Sequence, residues 1–167
     1  MLYTPATKMA LRLCFQAHKD QLDKGGMPYV FHPFHLAGQM LDEDTTVLAL
    51  LHDVVEDTSY TLADLAAMGV SPQVLEALAL MTHDPAMPYM DYVAKIKANP
   101  LARAVKLADL RHNSDLSRLD TADPRALQRI EKYRQAIELL DKYDLSQILL
   151  HNKTSCHAVC LFLTPVL

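Results

Sequence analysis

The chain has 167 residues, half of them apolar and 22% charged, with a net charge of −4, which suits one soluble globular domain. At that length folding buries roughly 70% of the surface of the extended chain, so a core needs neither disulfides nor a structural metal. The acidic balance leaves no electrostatic footprint for DNA or RNA, and the absence of Trp removes the usual base-stacking platforms.

In chain order, "MLYTPATKMA" has no apolar signal-peptide core, which fits a cytoplasmic protein. Thr4-Pro5 then opens a helix near 5–21, because proline at the first helical position loses no hydrogen bond. Met9, Leu13 and Ala17 keep the helical spacing, and Cys14 reads as a core thiol. The loop "DKGGMPYVFHP", residues 23 to 33, carries Gly-Gly and two prolines. His32-Pro33 opens a second helix near 33–41, and an apolar run with charged insertions, "LLHDVVEDT", belongs to a third near 45–56. "TLAD" at Thr61 to Asp64 caps a helix near 61–68 that stops at Gly69. Ser71-Pro72, Asn99-Pro100 and Asp123-Pro124 open helices near 72–82, 100–118 and 124–143, and one more falls near 88–98. No alternating strand pattern, repeat or linker interrupts them. The reading is an all-α bundle of about eight helices, one domain over 1–144, with an apolar tail over 145–167. That tail is too short to span a membrane and is suited to dock on the body or on another copy, as in a homo-oligomer. Three cysteines (Cys14, Cys156 and Cys160) argue against a disulfide framework and fit a reducing cytoplasm. "CHAVC" with His157 could form a metal hook, but free thiols are the simpler reading.

The chemistry concentrates in "LLHDVVEDT". With His52 at zero on a helical wheel, Glu56 falls near ~40°, Asp53 near ~100° and Asp57 near ~140°, while apolar residues fill the other half. A solvated acidic face is the plain explanation. Against it, carboxylates are disfavoured at a helix C-terminus and crowding raises their pKa values. A bound divalent cation would relieve both. Further ligands are then needed, and the candidates are Asp109 in "RAVKLADLRHN" and His32 at the end of the loop. Asn113, four residues after Asp109, projects from the same helical face. Two imidazoles and two carboxylates suit Mn, Fe, Co, Zn or Mg in differing degrees. His18 reads as structural and His35 as surface or packing, and His83, His112 and His151 carry no spacing signal.

Three segments, "AHKDQLDKGGMPYVFHP", "LLHDVVEDT" and "VKLADLRHN", occur in the order found in HD-domain phosphohydrolases. The chain resembles in particular the hydrolase domain of the RelA/SpoT stringent-response proteins and the stand-alone small alarmone hydrolases, over residues 5 to 140 or so. The resemblance implies an HD fold and one Mn²⁺ held by His32, His52, Asp53 and Asp109. It also implies that Glu56 and Asp57 orient and deprotonate the attacking water. The substrate would be the small nucleotide (p)ppGpp, cut at its 3′-pyrophosphate to GDP or GTP and pyrophosphate. Lys24 would meet substrate phosphate, and Asn113 the sugar or phosphate. No residues remain for the nucleotidyltransferase half of the long enzymes, so alarmone synthesis is not expected.

Two positions depart from the family pattern. Asp23 stands where the alarmone hydrolases have an Arg that helps hold guanine. An acid supplies no guanidinium face; it could accept hydrogen bonds from a base or select another phosphorylated nucleotide. "DLRHN" replaces the usual "DRLHN", which turns Arg111 by ~100° around its helix. A non-catalytic module that keeps the fold is the remaining alternative, and it leaves four clustered charges without a purpose.

Overall fold

The computed structural model describes residues 1–118 and 123–155, with side chains placed as far as 142. Readings that concern Cys156, His157, Cys160 and the end of the apolar tail lie outside the described residues, as do those on the side chain of His151. Among the described residues nine α-helices follow one another: α1 (Pro5–His18), α2 (Phe31–Gln39), α3 (Glu43–Leu51), α4 (Val54–Asp57), α5 (Leu62–Ala67), α6 (Pro72–Met81), α7 (Tyr89–Ile96), α8 (Pro100–Asn113) and α9 (Pro124–Ser155). A 3-10 turn, Leu116–Arg118, follows α8. Among the described residues the only β-type pairing is one isolated bridge, Leu22 to Pro28. The all-α class expected from the sequence is therefore observed.

Local chemistry starts most of these helices. Thr4 caps α1 in a reciprocal box with Thr7, and Asp42 and Ser71 cap α3 and α6. Asn99 caps α8. Thr61 and Asp64 form a capping box on α5, with Asp64 in the role usually taken by Glu. Pro5, Pro72 and Pro100 stand in the first turn of their helices, as the sequence predicts. Gly69 ends α5's turn with φ +89°, a conformation that an L side chain resists.

α1 ends at His18, short of 21, and α9 runs past 143 to Ser155; three other differences from expectation have a legible cause. α2 begins at Phe31, two residues early, because the turn Pro28–Phe31 delivers the N–H of Phe31 to Pro28 O and that of His32 to Tyr29 O. Pro33 is tolerated there since it still sits in the first turn. α8 stops at Asn113, where Ser114 caps it and its hydroxyl donates to Leu110 O at 2.7 Å. Leu116, which a helix running to 118 would have included, lies in the 3-10 turn and is exposed.

The third difference matters most. The expected helix 45–56 is two helices. Asp53 sits at φ −103°, ψ −2°, in the sparsely populated bridge region, and the helix restarts as the single turn α4. A two-faced wheel therefore does not describe this stretch. Thr45 through His52 are all buried, because α3 packs against α1, α2, α6 and α8. A helix surrounded on every side buries its whole circumference. The carboxylates of Glu56 and Asp57 come only after the chain has turned out of this core.

Around α3 the core is aliphatic: Leu36, Leu48, Leu50, Leu51, Leu65, Leu78, Ile96 and Leu110 are fully buried. Cys14 lies inside it, as expected, and its thiol is pushed up to about 12 by burial and by the nearby charge of Asp53. At pH 8 it is therefore a protonated, inert thiol. Iodoacetamide at pH 8, followed by peptide mapping, should leave Cys14 unlabelled in the native protein and label it fully in denaturant. Native labelling at the rate of free cysteine would contradict this packing.

Candidate metal centre and active site

Three segments deliver the polar residues to one point. The first is the loop before α2, which is stitched tightly. Asp23 Oδ1 accepts the N–H groups of Gly25 at 2.8 Å and Met27 at 3.0 Å, and Gly26 takes φ +78°, which glycine adopts without strain. This turn sets the register in which His32 enters the first turn of α2 and is buried.

The second segment is the α3–α4 break. His52 caps α3, and its Nδ1–H donates to Ala49 O at 2.8 Å. That fixes the tautomer and leaves Nε2 with a lone pair. This nitrogen lies 3.3 Å from His32 Nε2 and 2.8 Å from Asp53 Oδ2. The third segment is α8, whose Asp109 places Oδ1 3.2 Å from His32 Nε2. One ligand atom each from His32, His52 and Asp109 falls within 4.8 Å of the others. Two ligands held at about 2.1 Å from one ion, at right angles, lie roughly 3.0 Å apart. The spacing is thus that of donors around a common cation, and Asp53 extends the set through its contact with His52.

Each donor is braced from behind. Tyr29 donates its hydroxyl to Asp53 Oδ2. Lys106 Nζ sits 2.8 Å from Asp109 Oδ2, and Asn113 Nδ2 donates to Asp109 Oδ1 at 2.5 Å. His112 stacks on His32 with ring centroids 4.9 Å apart, and their Nδ1 atoms are separated by 2.7 Å. Burial, the positive charge of Arg118 and neighbouring imidazoles lower the pKa of His112 to about 4. With His112 neutral, the tautomer that accepts at Nδ1 from His32 Nδ1–H would again leave His32 Nε2 with a lone pair. Exposed His35 stacks on the far face of His112, at 4.1 Å.

The electrostatics ask for a positive charge at the point of convergence. Burial by itself would lower the pKa of His52, yet Asp53 and Asp109 raise it to about 9. Burial would raise the carboxyls, yet His52 holds Asp53 at about 2 and Lys106 holds Asp109 well below the usual range. A proton on His52 or a divalent ion among the four residues would satisfy the same field. The donor set, imidazole nitrogen and carboxylate oxygen, suits a first-row divalent metal.

Beside this point opens a cleft of about 420 Å³. Glu56 and Asp57 line it next to Asp53, and Lys24, Asn113 and Asp23 line it further out. Glu56 Oε2 accepts the N–H of His83 at 3.1 Å. The carboxyl of Asp57 is raised by partial burial and by the charges of Asp53 and Glu56. Asp23 is occupied on both oxygens, since Oδ2 also pairs with Arg118 Nη2 at 2.8 Å. All the residues singled out from the sequence therefore come together, and Arg111 does not: it pairs at the surface with Asp141. The sequence reading missed Tyr29, Lys106, His112 and Arg118. Lys106 and His112 had a usable signal, three residues either side of Asp109 on a helix. Tyr29 and Arg118 had none, because the contacts that define them are distant in sequence.

The comparisons with known proteins were made against this geometry. The chain is 32% identical over 130 residues to the guanosine-3′,5′-bis(diphosphate) 3′-pyrophosphohydrolase MESH1 of Danio rerio, covering 71% of this chain and 69% of that protein. It belongs to the HD-domain RelA/SpoT hydrolase family. The Mus musculus MESH1 is 36% identical over 120 residues, 62% of this chain and 66% of that protein. A solved structure, described as a metazoan ortholog of SpoT that hydrolyzes ppGpp, has the same fold with a TM-score of 0.63 at 22% identity, covering 88% of this chain and 98% of that one. No protein-family model matches the chain. The chain spans only 18% of the "Probable GTP pyrophosphokinase" of Mycobacterium leprae, to which it is 29% identical over 78% of its own length. Among the described residues no helix is long and apolar enough to cross a membrane.

The bracing of His32 leads to a measurable expectation. His112→Ala should weaken binding of Mn²⁺ or Zn²⁺ roughly 10- to 100-fold, the usual effect of removing a group that orients a metal ligand. Calorimetric titration of metal into the metal-stripped protein reads this directly. An unchanged affinity would mean that His112 does not set the tautomer of His32.

Proposed function

We propose that the chain is a metal-dependent pyrophosphohydrolase that cleaves the 3′-pyrophosphate of (p)ppGpp to GDP or GTP and pyrophosphate. The observation that carries this reading is the convergence of His32 Nε2, His52 Nε2 and Asp109 Oδ1 beside a cleft whose outer wall holds lysine and arginine. His32, His52, Asp53 and Asp109 hold one divalent ion, which we assign as Mn²⁺. Such an ion supplies Lewis-acid polarisation of a phosphoryl oxygen and a lowered pKa for water.

The remaining chemistry belongs to side chains. Asp57, with its pKa raised by partial burial and by Asp53 and Glu56, is the better proton acceptor at near-neutral pH, since a stronger base takes a proton from water more readily. Glu56 is steadied by the His83 N–H and orients the attacking water. The water oxygen ends on pyrophosphate, and the ribose 3′ oxygen leaves as a hydroxyl. Lys24 faces the phosphates: it lines the cleft near Arg129 and Lys132, and partial desolvation and those two charges lower its pKa. An incoming polyanion relieves that repulsion. Asn113, tied to Asp109, has its carbonyl oxygen directed to Arg118 and positions the sugar.

A second reading, hydrolysis of another phosphorylated nucleotide by the same machinery, is favoured by Asp23 in place of the family's Arg. A substrate panel separates the two. Purified protein with Mn²⁺ should release pyrophosphate and GDP from ppGpp, and chelation with EDTA should abolish release until Mn²⁺ is restored. His52→Ala and Asp53→Ala should eliminate turnover. Asp57→Asn should lower kcat by about 10²- to 10⁴-fold, with a smaller loss for Glu56→Gln. No release above a metal-only blank, with turnover of another nucleotide, would replace the first reading by the second.

A further inference from the structure

The outer wall of the cleft holds a cation that the motifs did not point to. Arg118 lines the cleft from the 3-10 turn Leu116–Arg118, and Asp23 reaches it across the chain at 2.8 Å. Arg118 Nη1 also donates to His112 O at 3.1 Å and to Asn113 Oδ1 at 3.4 Å. A second contact joins the same two segments. A Cβ on Gly25 would lie 2.6 Å from Arg118 O, so only glycine lets the loop approach this turn so closely. Loop and turn form one clasp over the cleft mouth.

The bonding within the clasp assigns different tasks to its members. Asp23 spends three of about four acceptor sites on Gly25 N–H, Met27 N–H and Arg118. Loop N–H groups and the Arg118 guanidinium overcome burial and hold its carboxyl below the usual range. It has little left to offer a ligand. Arg118 has five N–H groups; three go to named acceptors, and the others have no acceptor among the described residues. Its charge is compensated by Asp23, so it attracts a polyphosphate poorly. Its planar face and remaining donors suit a neutral heteroaromatic ring with an acceptor edge. Lys24 and Arg129, with no ion-pair partner among the described residues, carry the uncompensated charge that phosphates require.

We propose that Arg118 is the specificity-determining residue for the nucleotide base, that it recognises the O6/N7 acceptor edge of a guanine, and that Asp23 is a positioning residue that holds it. The guanidinium then comes from the turn after α8 and its counter-charge from the loop. Adenine presents an N6 donor beside N7, which a guanidinium cannot accept. The assignment rests on the nucleotide reading above.

Equilibrium binding of GDP and of ADP to the full chain with Mn²⁺, by calorimetry, tests this without turnover. The wild type should prefer GDP by about tenfold or more. Arg118→Ala should abolish the preference chiefly by weakening GDP, and Arg118→Lys, which keeps the charge and a bond to Asp23, should lose most of it. Asp23→Asn keeps the acceptor for the loop N–H groups, and should reduce the preference by a smaller factor. Thermal melts establish that each variant is folded, with Arg118→Lys deciding if Arg118→Ala is not. A clasp that is merely structural would lower both affinities together and leave their ratio unchanged, which overturns the proposal. So does a wild type that binds GDP no better than ADP. Arg118-dependent GDP preference in a protein that does not hydrolyse ppGpp would support this assignment while sinking the alarmone reading. Hydrolysis of ppGpp with a KM unaffected by Arg118→Lys would do the reverse.

Discussion

Two imidazole nitrogens with their lone pairs turned toward each other, 3.3 Å apart, set the terms for the rest of the molecule. With both rings neutral such an arrangement is unfavourable, because neither nitrogen then has a hydrogen to share; the raised pKa of His52 is one response to it, and a cation between the rings would be another. It persists because each ring is held from its far side, His52 by Ala49 O and His32 by His112. The carboxylates of Asp53 and Asp109 complete a corner that favours a cation. Desolvated charges without partners would cost several kcal/mol each. Lys106 and Tyr29 supply part of the compensation, and a divalent ion at this corner would supply the remainder.

The fold makes this corner rigid by burying α3 on all sides and then breaking it. An uninterrupted helix would keep Asp53 at the register set by the aliphatic core. The bridge-region backbone at Asp53 ends that register immediately after His52. His52 thus belongs to the core, and Asp53 to the cleft. No local signal in "LLHDVVEDT" announces the break, since Val54 and Val55 continue the apolar pattern and no glycine or proline intervenes. This is a case of tertiary packing overriding local preference.

The legible parts of the sequence were those whose causes are local. Helix starts at Thr4, Ser71 and Asn99 depend on a capping residue and the following proline, all within a few positions. His32, His52, Asp53 and Asp109 were visible because carboxylates crowded at a helix end call for a cation more readily than for a solvated face, and because their order matches a family pattern. What holds them was less visible. The His32–His112 and Asp23–Arg118 contacts span 80 and 95 positions, and no periodicity encodes such pairs. Asp23 shows the difference most clearly. As a residue type it looked like an altered base-binding group, while its bonding makes it the closure of a loop.

Exposure also fits the division of labour proposed for these residues. His32, His52 and Asp109 are buried, while Glu56 and Asp57 are exposed. Ligands benefit from a dry site, where electrostatic attraction to a cation is least screened. A group that takes a proton in each turnover must return it to solvent, so burial would hinder it. Freedom to exchange protons need not mean freedom to move. Gln21 Nε2 donates to Asp57 O at 3.1 Å, Thr58 Oγ1 donates to Val54 O at 2.5 Å, and His83 N–H holds Glu56. A four-residue helix has almost no stability of its own. Its placement comes from the long-range bonds of Gln21 and His83. The backbone of Asp57 and the carboxylate of Glu56 are thus held, while both residues remain open to water.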